Sequence, residues 1–585
     1  MRSLWKSASA LAVLLAVVVG LTAGAAGARP ERSAGTLASF PREQTLITSG
    51  SQWGNIAGTN PWVPGQVTGI VGLVNETLLR YDPLKDVYIP WLATSAKFTG
   101  TRQYTIVVRS GITYSDGKAF TAKDVAFNLN LARFNTSPWN NLYLNVKRIV
   151  PTGHKVVVTF KSTPNYVQWQ NAMWNMPMVS MSQAKPVITD AAKLTTYSPA
   201  VPIGTGPYTF DQAGFDPTTR VVYDRNPSWW AAKLHVAPLP KPKYVIDLVN
   251  TSNTNSLSAV LAGVEDLNNN YLPGVQQLVQ QGKVLTYYKK APYMLSANTA
   301  WLLPNTTAKP LNDPVFRKAL ATAINVKQIV NQDYGNLVLP ASATGLLPTW
   351  SKYIDKPMVQ KYGFSFSTSK AISMLQGAGY KRGSDGYFQN KDGSKIDLKI
   401  TVPQGWSDWE AARDMIISSA KDAGIRLSTK VEDRNTELAD RASGNFDLLI
   451  DNQYQISDNP WTYWNGIYHL PILTTGAGQT SFNFERYSNP TAWSLVQRLD
   501  KTPLTNTSAI KEINSKLQQI LMQQLPLIPL WYNGQWAQFI SHYWTNWPSS
   551  TSTRKYTPIM WGGYLQMTGI DVITHLKAAT VQPAK

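Results

Sequence analysis

YTIVVRSGITYSDGKAFTAKDVAFNL, residues 104–129, joins three local devices without a gap. YTIVV is β-branched and apolar and predicts a strand. Asp116-Gly117 supplies the positive φ that a tight turn needs. Thr121 and Asp124 have the spacing of a capping box, in which hydroxyl and carboxylate satisfy the first unpaired N–H groups of a helix. Each device alone is ordinary. Their order, strand then turn then capped helix, is what informs.

Outward from this stretch the same grammar continues. Residues 45–49, 155–160, 243–249 and 425–431 read as strands, and Asp82-Pro83 as a turn inside LLRYDPLKDVYIPWLA, residues 78–93. PIGTGPYTF, residues 202–210, is a Gly-rich turn running into a strand, where Gly204 and Gly206 provide backbone freedom. No Lys-Ser/Thr follows it, so it is not a Walker-type phosphate cradle. NDPVFRKALATAINVKQIV, residues 312–330, predicts a helix capped by Asn312 or Asp313, with Pro314 in the first turn and an apolar face of Val315, Phe316, Ala319, Leu320, Ala323 and Ile324. AISMLQGAGY, residues 371–380, is a short helix stopped by glycine, residues 410–423 a helix capped by Asp408, and residues 508–524 a long amphipathic helix ending before Pro526.

Composition bounds the protein further. Arg2 and Lys6 precede the apolar run ALAVLLAVVVGL and a small-residue tail, which reads as a secretory signal peptide over residues 1–28, cleaved after Ala28 or Ala26. The run is shorter than the roughly 20 apolar residues of a spanning helix. Cysteine is absent, which excludes disulfides, thiolate metal sites, cysteine nucleophiles and attachment as a cysteine-linked lipoprotein; Gly24 stands where such a cysteine would be. Losing Arg2 and Lys6 takes the net charge from +20 to +18. The cations are scattered singly or in pairs, so no nucleic-acid partner is expected. The five histidines show no metal-ligand spacing, and neither H-E-x-x-H nor G-x-S-x-G occurs, so no cofactor, metal or catalytic residue is expected.

Taken in order, the 104–129 stretch, PIGTGPYTF, NPSWW at 226–230, the 312–330 helix with Arg317 in an arginine position, AISMLQGAGY and NFDLLI at 445–450 resemble the large extracytoplasmic solute-binding proteins of ABC importers, family 5, which includes oligopeptide-, dipeptide- and nickel-binding proteins. The resemblance implies an α/β, class II periplasmic-binding-protein fold: two lobes, an inserted domain and a ligand cleft between the lobes. It implies lobe I from residues 41–78, 204–295 and 525–585, the inserted domain from 79–203, and lobe III from 296–524. It also implies a monomer in the periplasm or at the cell surface, with separate ABC permease subunits as partners.

The ligand is read from three loops. In peptide-binding relatives an aspartate four residues before a proline pairs with the peptide's α-ammonium; here that position, before Pro460, is Ile456. A buried ammonium without a counter-charge costs several kcal/mol, roughly. Asp458 could take over after a two-residue shift, which keeps an oligopeptide ligand open. QWGNIAGTNPW at 52–62, QGWSDW at 404–409 and DNQYQISDNPWTYWN at 451–465 set Trp among neutral amides and hydroxyls. A sugar offers an apolar C–H face and a hydroxyl rim, so it wants aromatic platforms beside fixed planar hydrogen-bonding groups. The pattern resembles the family's sugar-binding branch, whose ligands include cellobiose and related β-linked oligosaccharides, and that resemblance implies a cellobiose-like oligosaccharide, with Trp53, Trp406 and Trp461 stacking, Asn55, Gln404 and Asp458 reading hydroxyls, and Tyr454 and Trp464 beside them.

Overall fold

The computed structural model describes residues 37–53, 58–63, 66–453, 457–472, 482–553, 555–558 and 567–580. The chain starts its first sheet with β1 (Thr45–Trp53), then leaves it. A hairpin of β2 (Leu79–Asp82) and β3 (Val87–Pro90) closes around the Asp82-Pro83 turn. There follow β4 (Ala93–Gly100), β5 (Gln103–Val108), α1 (Ala122–Leu131), β6 (Val146–Thr152) and β7 (Lys155–Phe160), the strands forming an antiparallel sheet in the order β4-β5-β7-β6. Alternation does the folding here. Tyr104, Ile106 and Val108 of β5 and Val156, Val158 and Phe160 of β7 are buried, while the residues between them are not. Over that face lies α2 (Tyr166–Asn175), with Trp169 against Tyr104 at 5.7 Å and Phe160 at 5.1 Å.

The 104–129 stretch folds as its spelling predicts. Gly117 has φ +83°. The Lys123 N–H donates to Thr121 Oγ1 at 3.2 Å and the Thr121 N–H to Asp124 Oδ2 at 2.9 Å, a complete capping box. The Ser115 N–H donates to Gly204 O at 2.9 Å, joining this turn to the returning segment.

Gly204 and Gly206 have a different reason from the one expected. Neither takes a positive φ. A Cβ on Gly204 would stand 1.9 Å from Val74 O and one on Gly206 2.1 Å from Leu73 O, so it is backbone-on-backbone contact that excludes any side chain.

Past these glycines come β8 (Tyr208–Phe210), β9 (Arg220–Arg225), β10 (Tyr244–Asn250), α3 (Asn253–Leu261) and β11 (Leu267–Asn268). A second unit holds β12 (Ser296–Pro304), α4 (Pro314–Ala323), β13 (Leu339–Pro340), β14 (Leu398–Pro403), α5 (Ser407–Asp422), β15 (Leu427–Glu432), α6 (Arg434–Ser443), β16 (Leu448–Gln453), α7 (Trp461–Tyr468), α8 (Pro490–Asp500), α9 (Thr507–Gln524) and β17 (Ile528–Gly534). The chain then returns through β18 (Gln538–Phe539). The first sheet runs β18-β11-β1-β10-β9-β8 and the second β13-β17-β12-β16-β14-β15. Two segments therefore cross between the sheets, β11 to β12 and β17 to β18.

The helix expected over 312–330 breaks after Ala323, where Asn325 caps a second helix over Val326–Gln332. Asp313 is the cap of α4. Buried Arg317 donates to Gln524 O at 3.2 Å and Leu525 O at 2.7 Å, satisfying carbonyls where α9 ends, and to Leu311 O at 2.6 Å just before α4. Its burial lowers its pKa to about 10. Asp408 is not a cap either: α5 begins after Trp406, and Asp408 lies buried in its first turn. No helix among the described residues is long and apolar enough to cross a membrane.

Candidate functional site

Two sets of parallel strands end on facing edges. In the first sheet β1 runs parallel to β10 and β11, so Trp53 pairs with Asn250 and Ser49 with Asn268 at their carboxyl ends. In the second, β14 runs parallel to β15 and β16, ending at Pro403, Glu432 and Gln453. Ligands of open α/β sheets bind outside carboxyl ends of this kind. The edges meet at one seam. The Asn253 N–H donates to Gly405 O at 3.3 Å, and Asn253 Nδ2 donates to Asp408 Oδ1 at 3.0 Å and Ser407 Oγ at 3.3 Å. Tyr334 completes Asp408, its hydroxyl donating to Oδ2 at 3.1 Å. Behind it Tyr334 stacks on Trp536 at 6.1 Å, and Tyr271 meets Trp536 edge-on at 5.5 Å.

Burial governs the acids at these edges. It pushes Asp408 up to about 6 against the opposing bonds from Tyr334 and Asn253. It pushes Asp333 up to about 8, with the neighbouring Asp408 adding to the effect. Glu265 is likewise raised to about 8 by burial, although Asn268 Nδ2 donates to it at 2.6 Å. Burial therefore favours the protonated form of Asp333, beside the seam, and of Glu265, next to Asn268.

The predicted residues divide. The backbone of Trp53 ends β1, and its side chain, like Asn55 and Tyr454, lies outside the described residues. Gln404 is exposed just past β14, its N–H donating to Glu432 O at 2.7 Å. Trp406 is half-buried at the seam, edge-on to Trp409 at 4.6 Å with the Arg434 guanidinium 4.8 Å from its ring centre. Asp458 is half-buried and faces the β2–β3 hairpin; burial raises it to about 6, with Tyr88 and Asn459 opposing and Asp86 adding. Two rings are spent on packing. Trp461 is 9% exposed and its N–H donates to Val496 O at 3.2 Å. Trp464 is 0% exposed, donates to Asn514 Oδ1 at 2.7 Å and stacks on Tyr468. Both sit on α7 against α8 and α9. Trp464 has no face left for a ligand, which corrects its place in the expected site.

One group escaped the sequence reading: the carboxamides at the ends of β10 and β11. Asn250 Oδ1 accepts from Ser256 Oγ at 3.1 Å, Ser256 Oγ accepts from Asn270 Nδ2 at 2.5 Å, and Asn270 O accepts from Gln538 Nε2 at 3.1 Å. Three consecutive asparagines, 268–270, after a strand were the available signal. Among the described residues, no cluster of His, Cys, Asp and Glu could hold a metal ion.

Residues 87–471 match the family model described as bacterial extracellular solute-binding proteins, family 5 middle, and the chain belongs to that family. It is an extracytoplasmic substrate-binding component of an ABC importer, a transport protein and not an enzyme. It is similar to an oligopeptide-binding protein of Thermotoga maritima, at 33% identity and TM-score 0.86 over 92% of this chain and 100% of that one, and a second structure of that protein holds mannohexaose. The SapA periplasmic-binding protein of Escherichia coli is 23% identical over 88% of this chain and 91% of its own. AppA of Bacillus subtilis, solved with a nonapeptide, has 19% identity and TM-score 0.73 over 92% of this chain and 99% of its own.

Proposed function

We propose that the protein captures a neutral oligosaccharide between its two six-stranded units and delivers it intact to a membrane permease. The observation that carries this reading is the mannohexaose held by the Thermotoga maritima protein, which shares 33% identity with this chain over 92% of its length. The edges here suit such a ligand, with carboxamides, half-buried Trp406 and acids whose burial favours the protonated form. Trp53, Asn55, Gln404, Trp406, Tyr454 and Asp458 follow the carboxyl ends and contribute to the cleft; Trp461 and Trp464 support it from within α7. The units act as lobes with the expected limits, the β4–β7 sheet being the inserted domain, and close by hinge motion about the two crossing segments. Residues 1–28 direct export, and the mature protein works as a monomer that is not a cysteine-linked lipoprotein.

A second reading rests on Asp458, a half-buried carboxyl past β16 that faces the β2–β3 hairpin and to which a peptide ammonium could bind, as in an oligopeptide importer. Titration of the mature protein with mannohexaose, cellohexaose and mixed tri- to penta-peptides, followed by tryptophan fluorescence, decides between them. Saturable quenching by a sugar, recovered unhydrolysed, is expected; binding of peptides with no response to either sugar would replace the first reading by the second.

A further inference from the structure

The carboxamides at the carboxyl edges carry more unsatisfied hydrogen-bonding capacity than a packed interior tolerates. Asn269 Oδ1, Asn270 Oδ1 and Gln538 Oε1 are buried and without a partner, and so is Asn250 Nδ2. On the second sheet Asn298 Oδ1 and Asn533 Oδ1 are in the same condition, on neighbouring strands that pair Asn298 with Asn533. All six residues are more than nine-tenths buried. Buried polar atoms are paired in more than about nine cases in ten, so six at two facing edges call for a physical reason.

The orientation of the key amides is fixed by what they already bond. Gln538 Nε2 donates to Asn270 O, and Asn269 Nδ2 points to Ser49 O at 3.5 Å. A backbone carbonyl only accepts, so the nitrogen must face it and the oxygen must face away. The buried atoms left over are mostly carboxamide oxygens, with Asn250 Nδ2 beside them, and none is charged. A peptide offers only one backbone N–H per residue to such oxygens. A pyranose offers a hydroxyl on nearly every ring carbon, each a donor that can also accept.

We propose that Asn250, Asn269, Asn270 and Gln538, faced by Asn298 and Asn533, form a hydroxyl-binding subsite for one uncharged sugar ring at the floor of the cleft. This inference rests on the oligosaccharide reading and adds to it the residues that read the hydroxyls. It also explains the placement beside the crossing segments: Gln538 follows the second crossing and Asn298 ends the first, so a ring bound to both ties the units together.

The test uses the mature protein with mannohexaose and cellohexaose as probes. Gln538→Leu and Asn533→Leu remove one acceptor each without adding charge. Each is expected to weaken sugar binding about five- to tenfold, the effect of one hydrogen bond lost from a desolvated site. A crystal structure of the wild-type complex is the second measurement, and it decides alone if either variant fails to fold. Sugar oxygens within about 3.2 Å of at least three of the six atoms are expected. Folded variants that bind within twofold of wild type, or a complex with no sugar oxygen near these atoms, would overturn the subsite while leaving the oligosaccharide reading intact. Failure of the wild-type protein to bind either sugar removes both.

Discussion

Replacing Asn253 by alanine should weaken ligand binding by loosening the seam between the two sheets. Asn253 Nδ2 donates to Asp408 Oδ1 at 3.0 Å across that seam, and both residues are at least nine-tenths buried. Without it Asp408 keeps only the Tyr334 hydroxyl among its side-chain donors. A hydrogen bond to an ionised group contributes about 1.5 to 3 kcal/mol, and a contact made only in the closed form transmits its loss to the binding constant. The expected weakening at pH 7.5 is therefore roughly 10- to 100-fold. The pH dependence has a definite sign. Asp408 stands at about 6 when buried, above its ordinary 3.8, so closure takes up a proton between those values and burying the ionised group opposes closure at higher pH. The Asn253 amide relieves that penalty, so the defect of Asn253→Ala should shrink toward pH 5. Titration of wild type and variant with mannohexaose at pH 5 and 7.5, beside thermal unfolding of each, measures this. Affinities within twofold of each other at both pH values would show that the contact is not made on closure.

Other consequences follow from the same geometry. Gly204→Ala places a Cβ 1.9 Å from Val74 O and should cost about 3 kcal/mol in urea unfolding, where Gly153→Ala, whose Cβ meets nothing, should cost about 1 to 2 from its positive φ alone. Glu76 is fully buried between the Trp91 and Trp230 indoles, which donate at 2.9 and 2.7 Å, and burial raises it from 4.5 to about 7. Because the folded form holds that proton, its contribution is complete below pH 4.5 and is lost as pH rises through 7; calorimetry should show roughly 3 kcal/mol of stability lost across that window, flattened in Glu76→Gln. Trp406→Ala should weaken sugar binding about tenfold with little change in unfolding temperature, whereas Trp464→Phe, losing the bond to Asn514, should lower stability by about 1 to 2 kcal/mol and leave affinity nearly unchanged.

Where local physics decided the outcome, the sequence was legible. The 104–129 stretch needs only a β-branched run, a positive φ and a cap, and the long helix α9 needs only its period. The failures came where tertiary contact sets the role. Gly204 and Gly206 look like conformational freedom and are clearance for a neighbouring backbone. Asp408 has the position of a cap, but a partner 155 residues away claims it. The tryptophans of residues 451–465 are ambiguous for a plainer reason. A Trp beside Asn reads equally well as a platform or as a packed ring with a satisfied N–H, and the partners Val496 and Asn514 that the Trp461 and Trp464 indoles find lie far along the chain.

The acids at the edges bear on ligand charge more directly than the rings do. A site for a peptide terminus must keep a carboxylate ionised, which calls for solvent or a nearby cation. Glu265 and Asp333 have neither strongly enough: burial, with a smaller push from neighbouring acids, raises both to about 8. Ionising either one to meet an ammonium would first cost about 1.4 kcal/mol per pH unit between its pKa and the surroundings. An uncharged guest avoids that cost and finds protonated carboxyls able to donate, beside carboxamides that mostly accept. The same burial that makes these acids poor anchors for a cation makes the seam a suitable surface for hydroxyls, and the carboxyl ends of both sheets place it where a ligand would lie.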